Sequence, residues 1–390
     1  MIRDTSTRST LPRRRFVAGL GALAVGGPVA LTACSQPRPP RPASLPPSTV
    51  TRGALPNGGP SAELPRGTYG PYRAVVAGHA IAVSTTGDHV AAIFAGEGSN
   101  AAGAPPNGVV VWRTGDQKVD RRFPDERVGI LAWQPGLDVI AVGSGGKVEA
   151  TSLRGDILWT LSRDPSAARK YPQKGSTDLS FSQDGALLTS ALDDGSVRIW
   201  KQSSETWSPG PVLDLRDSRP RRVAVSPDGG SVAVACEEGP ARIFSTTTGA
   251  PQHALTAIKQ TPRTVAYASD GSLLVSSGIG WVHTAADSGR TRLHIWTPAS
   301  GLKDGPPARG EHASWVVPHP KRPLAAVVAD GGQQLAVWDL RAQRMRDLPL
   351  PSRGSGRPAW DPRSEKLYLA NEQHGLLEWT GSVWKRFEAP

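Results

Sequence analysis

A chain of 390 residues with 38% hydrophobic content is long enough for one large domain or two ordinary ones, so fold class has to come from pattern. The formal net charge is +11. The first thirty-three residues hold five Arg and one Asp, which leaves +7 for the remainder, so part of the basicity is local to the N-terminus rather than a mark of a polyanion-binding domain.

In chain order, Arg13, Arg14 and Arg15 precede Phe16 and Val17, and residues 17–33 form a mild Gly/Ala-rich apolar run interrupted by Pro28. That run is too short and too rich in glycine for a transmembrane helix. The segment resembles a twin-arginine export signal, with Arg13, Arg14 and Phe16 in the motif positions and Pro12 departing from the usual Ser or Thr. It ends in Leu31-Thr32-Ala33-Cys34, which resembles a bacterial lipobox. The resemblance implies cleavage before Cys34, lipidation of that cysteine and an extracytoplasmic, membrane-anchored location. Cys236 is then the one free thiol and no intramolecular disulfide is expected. Residues 34–67 are Pro-rich with little apolar content, so they cannot build a core and are expected to form a disordered, semi-extended tether.

From about residue 68 to 390 one phrase returns every forty to fifty residues: an apolar strand, a turn, a second strand, a turn, and a third strand ending in an aromatic residue. The clearest copies begin at Leu179, Val223 and Val265 and end at Trp200, Phe244 and Trp296. Weaker copies end at Trp112, Ser152, Trp338 and Trp379. Alternating apolar residues suit half-buried strands, and Asp184, Asp228 and Asp270, each followed by Gly, supply tight turns. Helical periodicity is nearly absent. One such sheet cannot bury both its faces, so seven must stack side by side into a ring. The expected fold is all-β, a seven-bladed β-propeller of four-stranded antiparallel blades.

These repeats resemble the WD-repeat family in a loose bacterial form. Asp194-Gly-Ser-Val-Arg-Ile-Trp200 matches its third-strand motif, Gly78-His79 the dipeptide before a first strand, and Trp338-Asp339 the Trp-Asp pair. Ring closure is expected from residues 72–76 as the outer strand of the last blade, with residues 383–387 as the other candidate.

No phosphate-binding glycine loop, nucleophile elbow, zincin motif or cysteine cluster occurs, so neither catalytic residues nor cofactor is assigned. His283 and His294 face each other across an expected hairpin as an exposed pair; two imidazoles do not make a metal site, and no metal is expected. Basic residues fall before the first strands at Arg127, Lys174, Arg219, Arg221, Arg222, Arg263, Arg309 and Arg357. Of these, Arg127, Arg222, Arg263 and Arg357 are taken as a candidate ligand-binding set. Acidic residues on the same face, among them Glu237 and Glu238, make it mixed. Trp133, Trp315 and Trp360 are expected at equivalent points on first strands, in the core or channel wall.

The function implied is a membrane-anchored protein-interaction or scaffold module whose partner is an envelope protein or polymer, not nucleic acid. The alternatives are a lactonase-like envelope hydrolase with a site in the axial channel, and an envelope or outer-membrane assembly lipoprotein, prompted by Gly155-Asp-Ile-Leu-Trp159.

Overall fold

The structure is a computed structural model that describes residues 72–74, 81–96, 108–124, 129–144, 147–162, 178–192, 195–204, 206–215, 218–278, 292–308, 313–329, 332–352 and 355–389. The export, lipidation and tether segments, residues 97–107, and the sequence-predicted Gly78-His79, Arg127, Lys174, Asp194 and Arg309 lie outside the described residues.

Seven antiparallel sheets follow one another along the chain. Blade 1 holds β1 (Tyr72–Ala74), β2 (Ile81–Val83), β3 (His89–Gly96), β4 (Gly108–Arg113) and β5 (Val119–Pro124); blade 2 holds β6 (Ile130–Trp133), β7 (Val139–Ser144), β8 (Lys147–Ser152) and β9 (Ile157–Ser162). Blade 3 is β10 (Asp178–Phe181), β11 (Leu187–Ala191), β12 (Val197–Ser203) and β13 (Thr206–Leu213), and blade 4 is β14 (Pro220–Val225), β15 (Ser231–Cys236), β16 (Arg242–Ser245) and β17 (Pro251–Ala254). Blade 5 is β18 (Thr261–Tyr267), β19 (Leu273–Gly278), β20 (Arg292–Thr297) and β21 (Gly301–Asp304), and blade 6 is β22 (Ala313–Pro318), β23 (Leu324–Ala329), β24 (Gln334–Asp339) and β25 (Arg344–Leu348). Blade 7 is β26 (Ser355–Trp360), β27 (Leu367–Asn371), β28 (Gly375–Trp379) and β29 (Trp384–Arg386).

Local sequence sets the hairpins. In blades 3 and 4 the Asp side chain of the Asp-Gly turn accepts from the Ser hydroxyl two residues before it and from a backbone N–H two residues after it. Gly185 and Gly229 then take φ of +74° and +69°, which a side chain would resist. Packing between sheets closes the ring. Each of seven buried apolar clusters joins two neighbouring blades, including one in which Val90, Phe94 and Trp112 of blade 1 meet Tyr368, Leu376 and Phe387 at the C-terminal end of blade 7. Burial between blades, rather than within one, is the main stabilising term, so the ring is the folding unit. The protein is a seven-bladed β-propeller.

The expected N-terminal closure is not what the chain adopts. β29 is the outer strand of blade 7, pairing with β28. β1 pairs with Phe94–Gly96 of β3, along the same edge that β2 occupies at Val90–Ala92. The C-terminal segment wins because it also docks on blade 1: Trp112 Nε1 donates to the Glu388 carbonyl at 2.9 Å, and the Val119 N–H donates to the Glu388 carboxylate at 2.9 Å.

Candidate functional site

The turn after each first strand is closed by a backbone hydrogen bond, from Ser84, Gln134, Ser182, Ser226, Ala268, His319 and Asp361 in blades 1 to 7. Those seven residues are therefore structurally equivalent. Four positions earlier stand Ile130, Asp178, Arg222, Thr264, Trp315 and Arg357 in blades 2 to 7, with the blade 1 position outside the described residues. Two positions after these stand Ala82, Ala132, Ser180, Ala224, Ala266, Val317 and Ala359. Residues two apart on a strand share a face. Side chains of both layers lie along the channel edge of the next blade: Asp178 Oδ2 accepts from the Val223 N–H at 2.8 Å, Ser180 Oγ accepts from the Val225 N–H at 3.1 Å, and Arg357 Nη1 donates to the Ile81 carbonyl at 3.4 Å.

The first layer is where the charge collects. Asp178 is fully buried, and its Oδ1 accepts from the Leu179 N–H at 2.9 Å. Arg222 of blade 4 reaches past blade 5 to blade 6, where its guanidinium lies 4.0 Å from the centre of the Trp315 ring. Its Nη1 donates to the Arg221 carbonyl at 2.7 Å, while its Nε is buried without a hydrogen-bond partner. Burial lowers the pKa of Arg222, Asp178 counteracts, and Arg221 adds to the lowering. Arg357 is pushed down to about 10 by burial, with Asp178 opposing and Arg222 reinforcing. Both remain cations at neutral pH. Two guanidinium groups against one carboxylate leave this layer one net positive charge.

Of the four arginines singled out in the sequence, Arg222 and Arg357 share this layer, close enough for Arg222 to lower the pKa of Arg357. Arg263 sits one position earlier, in a β-bulge between paired Pro262 and Thr264, as Arg221 does between Pro220 and Arg222. Burial lowers the pKa of Arg263, and the nearby Arg221 adds to it. Arg219 and Arg221 turn to Glu237 at 3.1 and 3.4 Å, so this part of the face is mixed, as its composition implied. Sequence reasoning missed Asp178, the counter-charge of the layer, because it lies just outside the repeat phrase that begins at Leu179. The turn register would have found it.

All three first-strand tryptophans are buried, but they are not equivalent. Trp133 and Trp360 stand one residue before the turn, donating to the Leu137 and Val317 carbonyls at 2.8 Å each, whereas Trp315 stands three positions earlier, in the charged layer. His294 is also corrected: it is buried, not exposed. Its Nδ1 pairs with Asp304 at 2.9 Å and its Nε2 with Ser277 Oγ at 3.0 Å. This order of groups matches a hydrolytic triad, yet Ser277 is only 1% accessible and its Oγ also lies 3.2 Å from Gln260 Oε1. A nucleophile must reach its substrate. The network ties β19, β20 and β21 together; His283 lies outside the described residues. Among the described residues no group of three or more His, Cys, Asp and Glu could hold a metal ion. A channel hydrolase calls for several converging carboxylates or histidines, and in the described part of the charged layer Asp178 stands alone.

In blade 3, Trp200 on the third strand donates through Nε1 to Ser190 Oγ on the second at 3.0 Å, locking the two strands. The protein-family profile for the WD domain, G-beta repeat (WD40), matches residues 170–201, the stretch that contains this pair. No curated protein matches the sequence. A chain from the solved structure described as "Crystal Structure of Mitotic Checkpoint Complex" is 15% identical, with a TM-score of 0.61, covering 83% of this chain and 98% of the other. At that identity the likeness is one of fold. The chain is a WD-repeat-like seven-bladed β-propeller.

Proposed function

We propose that this protein is a membrane-anchored, extracytoplasmic interaction module: exported through the Arg13-Arg14 signal, lipidated at Cys34, and held off the bilayer by residues 34–67 so that the ring can bind an envelope protein or polymer. The observation that carries the reading is the order of the parts. An export pair, a lipobox cysteine and a proline-rich stalk stand in that order ahead of a ring whose seam is closed by its own C-terminal residues. A frame braced in this way can carry loops of any sequence, and in such frames recognition resides in the loops. The solved chain of similar fold comes, by its description, from a multi-protein complex, which agrees with a binding role.

The test uses the full chain in cells fed an alkyne fatty acid. Wild type is expected in the membrane fraction carrying the label, with Cys34→Ser unlabelled and released. An unlabelled wild type, or a Cys34→Ser protein that stays in the membrane fraction, would overturn the anchoring. For the binding role, cross-linking is expected to retain a defined envelope component on the wild-type ring, and recovery of none would overturn it.

A further inference from the structure

On the turn side of the charged layer, a cavity of about 270 Å³ lies in the axial channel. Its width follows from the second layer, where Ala82, Ala132, Ser180, Val317 and Ala359 bring short side chains from five blades. Arg357 is the charged residue of the lining. A guanidinium carries five N–H donors. Among the described residues Arg357 uses one, in the 3.4 Å contact with the Ile81 carbonyl, and it is half-buried with the rest of its surface turned into the channel. The nearest counter-charge is already engaged, since both oxygens of Asp178 accept backbone hydrogen bonds.

We propose that this cavity binds a small carboxylate with an apolar body, the carboxylate received by Arg357 and the body held among Ala82, Ala132, Val317 and Ala359. Three arguments select that chemistry. The planar guanidinium fork matches a carboxylate in two parallel hydrogen bonds. The single surplus positive charge of Arg222, Arg357 and Asp178 balances a monoanion, whereas a phosphate monoester carries about −1.5 to −2 at pH 7. The cavity is at or below the lower end of the range of about 300–1,000 Å³ for drug-sized ligands, so the body is small. Burial has pulled the pKa of Arg357 down to about 10, and a bound anion would reverse that shift. The site lies in the channel and is separate from the loop surfaces assigned to envelope binding, so either reading can fail without the other.

The test is calorimetric titration of the purified full-length protein with benzoate and hexanoate, against benzamide, hexanamide and inorganic phosphate. The acids are expected to bind and the amides to bind at least about tenfold more weakly, because they lack the charge that Arg357 receives. Arg357→Gln is expected to lose about tenfold or more, Arg357→Lys to recover part, and Ala132→Leu to lose binding by filling the cavity while its unfolding transition stays cooperative. A short peptide ending in a free leucine carboxylate, compared with its amide, separates the two sources: tighter binding of the free-acid peptide points to a partner's C-terminus, and tighter binding of the small acids to a free carboxylate. Absence of acid binding at about 10 mM, affinities unchanged in both Arg357→Gln and Ala132→Leu, or phosphate binding more tightly than the acids would overturn the proposal.

Discussion

Asp178 on β10 accepts, through Oδ2, a 2.8 Å hydrogen bond from the backbone N–H of Val223 on β14, so one side chain ties the innermost strands of consecutive blades. The same carboxylate caps its own strand at Leu179 and moderates the charge on Arg222 and Arg357. Asp178→Ala would strand two backbone donors and leave two half-buried guanidinium groups without their opposing charge. A loss of about 2–6 kcal/mol is expected in urea unfolding, from about 1–3 kcal/mol for each buried backbone donor left without its acceptor. Asp178→Asn keeps one acceptor and should lose less. Because the charge term is shared, Asp178→Ala combined with Arg357→Met should cost less than the two changes added separately. Simple additivity would mean that Asp178 acts only through its backbone bonds.

Stability should fall in two steps as pH drops. Burial lowers the pKa of His294, His319 and His374 below the ordinary 6.5, so the unfolded chain takes up protons there before the folded chain does. Their contribution is complete above pH 6.5 and is lost as pH falls from there towards the folded values. The Ser182 hydroxyl and the Ala186 N–H hold Asp184 below 3.8, and the Ser226 hydroxyl and the Gly230 N–H do the same for Asp228. That contribution is present above 3.8 and is lost as pH falls further. Urea midpoints measured at about pH 8, 5 and 3 should decrease in that order, and His294→Gln should shrink the first drop specifically.

Gly305 marks a close approach of blades 5 and 6. A Cβ there would lie 2.6 Å from Cζ2 and 2.8 Å from Cη2 of Trp338, a ring with no accessible surface. The indole cannot swing into solvent. Gly305→Ala is therefore expected to cost about 1–3 kcal/mol by overpacking, and pairing it with Trp338→Phe should return part of the loss. A neutral effect on the unfolding midpoint would show that the seam between blades 5 and 6 can spread.

The blades were legible because their determinants are local. An Asp-Gly turn at Asp184 or Asp228 and an alternating strand on either side contain most of what a hairpin needs. The axial layer was hidden for the opposite reason. Its members are an isoleucine, an aspartate, an arginine, a threonine, a tryptophan and another arginine, and no repeat pattern joins residue types so unlike. Bulges at Arg221 and Arg263 further displace the basic residues by one position, so that Arg221 faces Glu237 while Arg222 enters the channel. Lipidation at Cys34, by contrast, rests on residues 31–34 alone and stands or falls with the labelling experiment.

Ring closure is the case in which local sequence points the wrong way. Residues 72–76 and 383–387 are both short stretches able to form an outer strand, and what separates them is contact with residues some 270 positions away: Glu388 receives Trp112 and Val119, and Phe387 packs edge-on against Trp112 as well as against Tyr368 of its own blade. Phe387 is 2% accessible. Phe387→Ala should therefore cost about 3–5 kcal/mol, the range for a large aromatic removed from a core, and its effect should appear at the seam first. Hydrogen exchange is expected to rise in β4, β28 and β29 before it rises in blades 3 to 5, because a ring opened at one seam retains its other six interfaces. Deleting residues 72–74 should leave that seam protected, since β1 pairs along β3 and not with the last blade's outer strand. If removing β1 exposed the seam as fully as Phe387→Ala does, the N-terminal strand, not the C-terminal one, would be holding the ring shut.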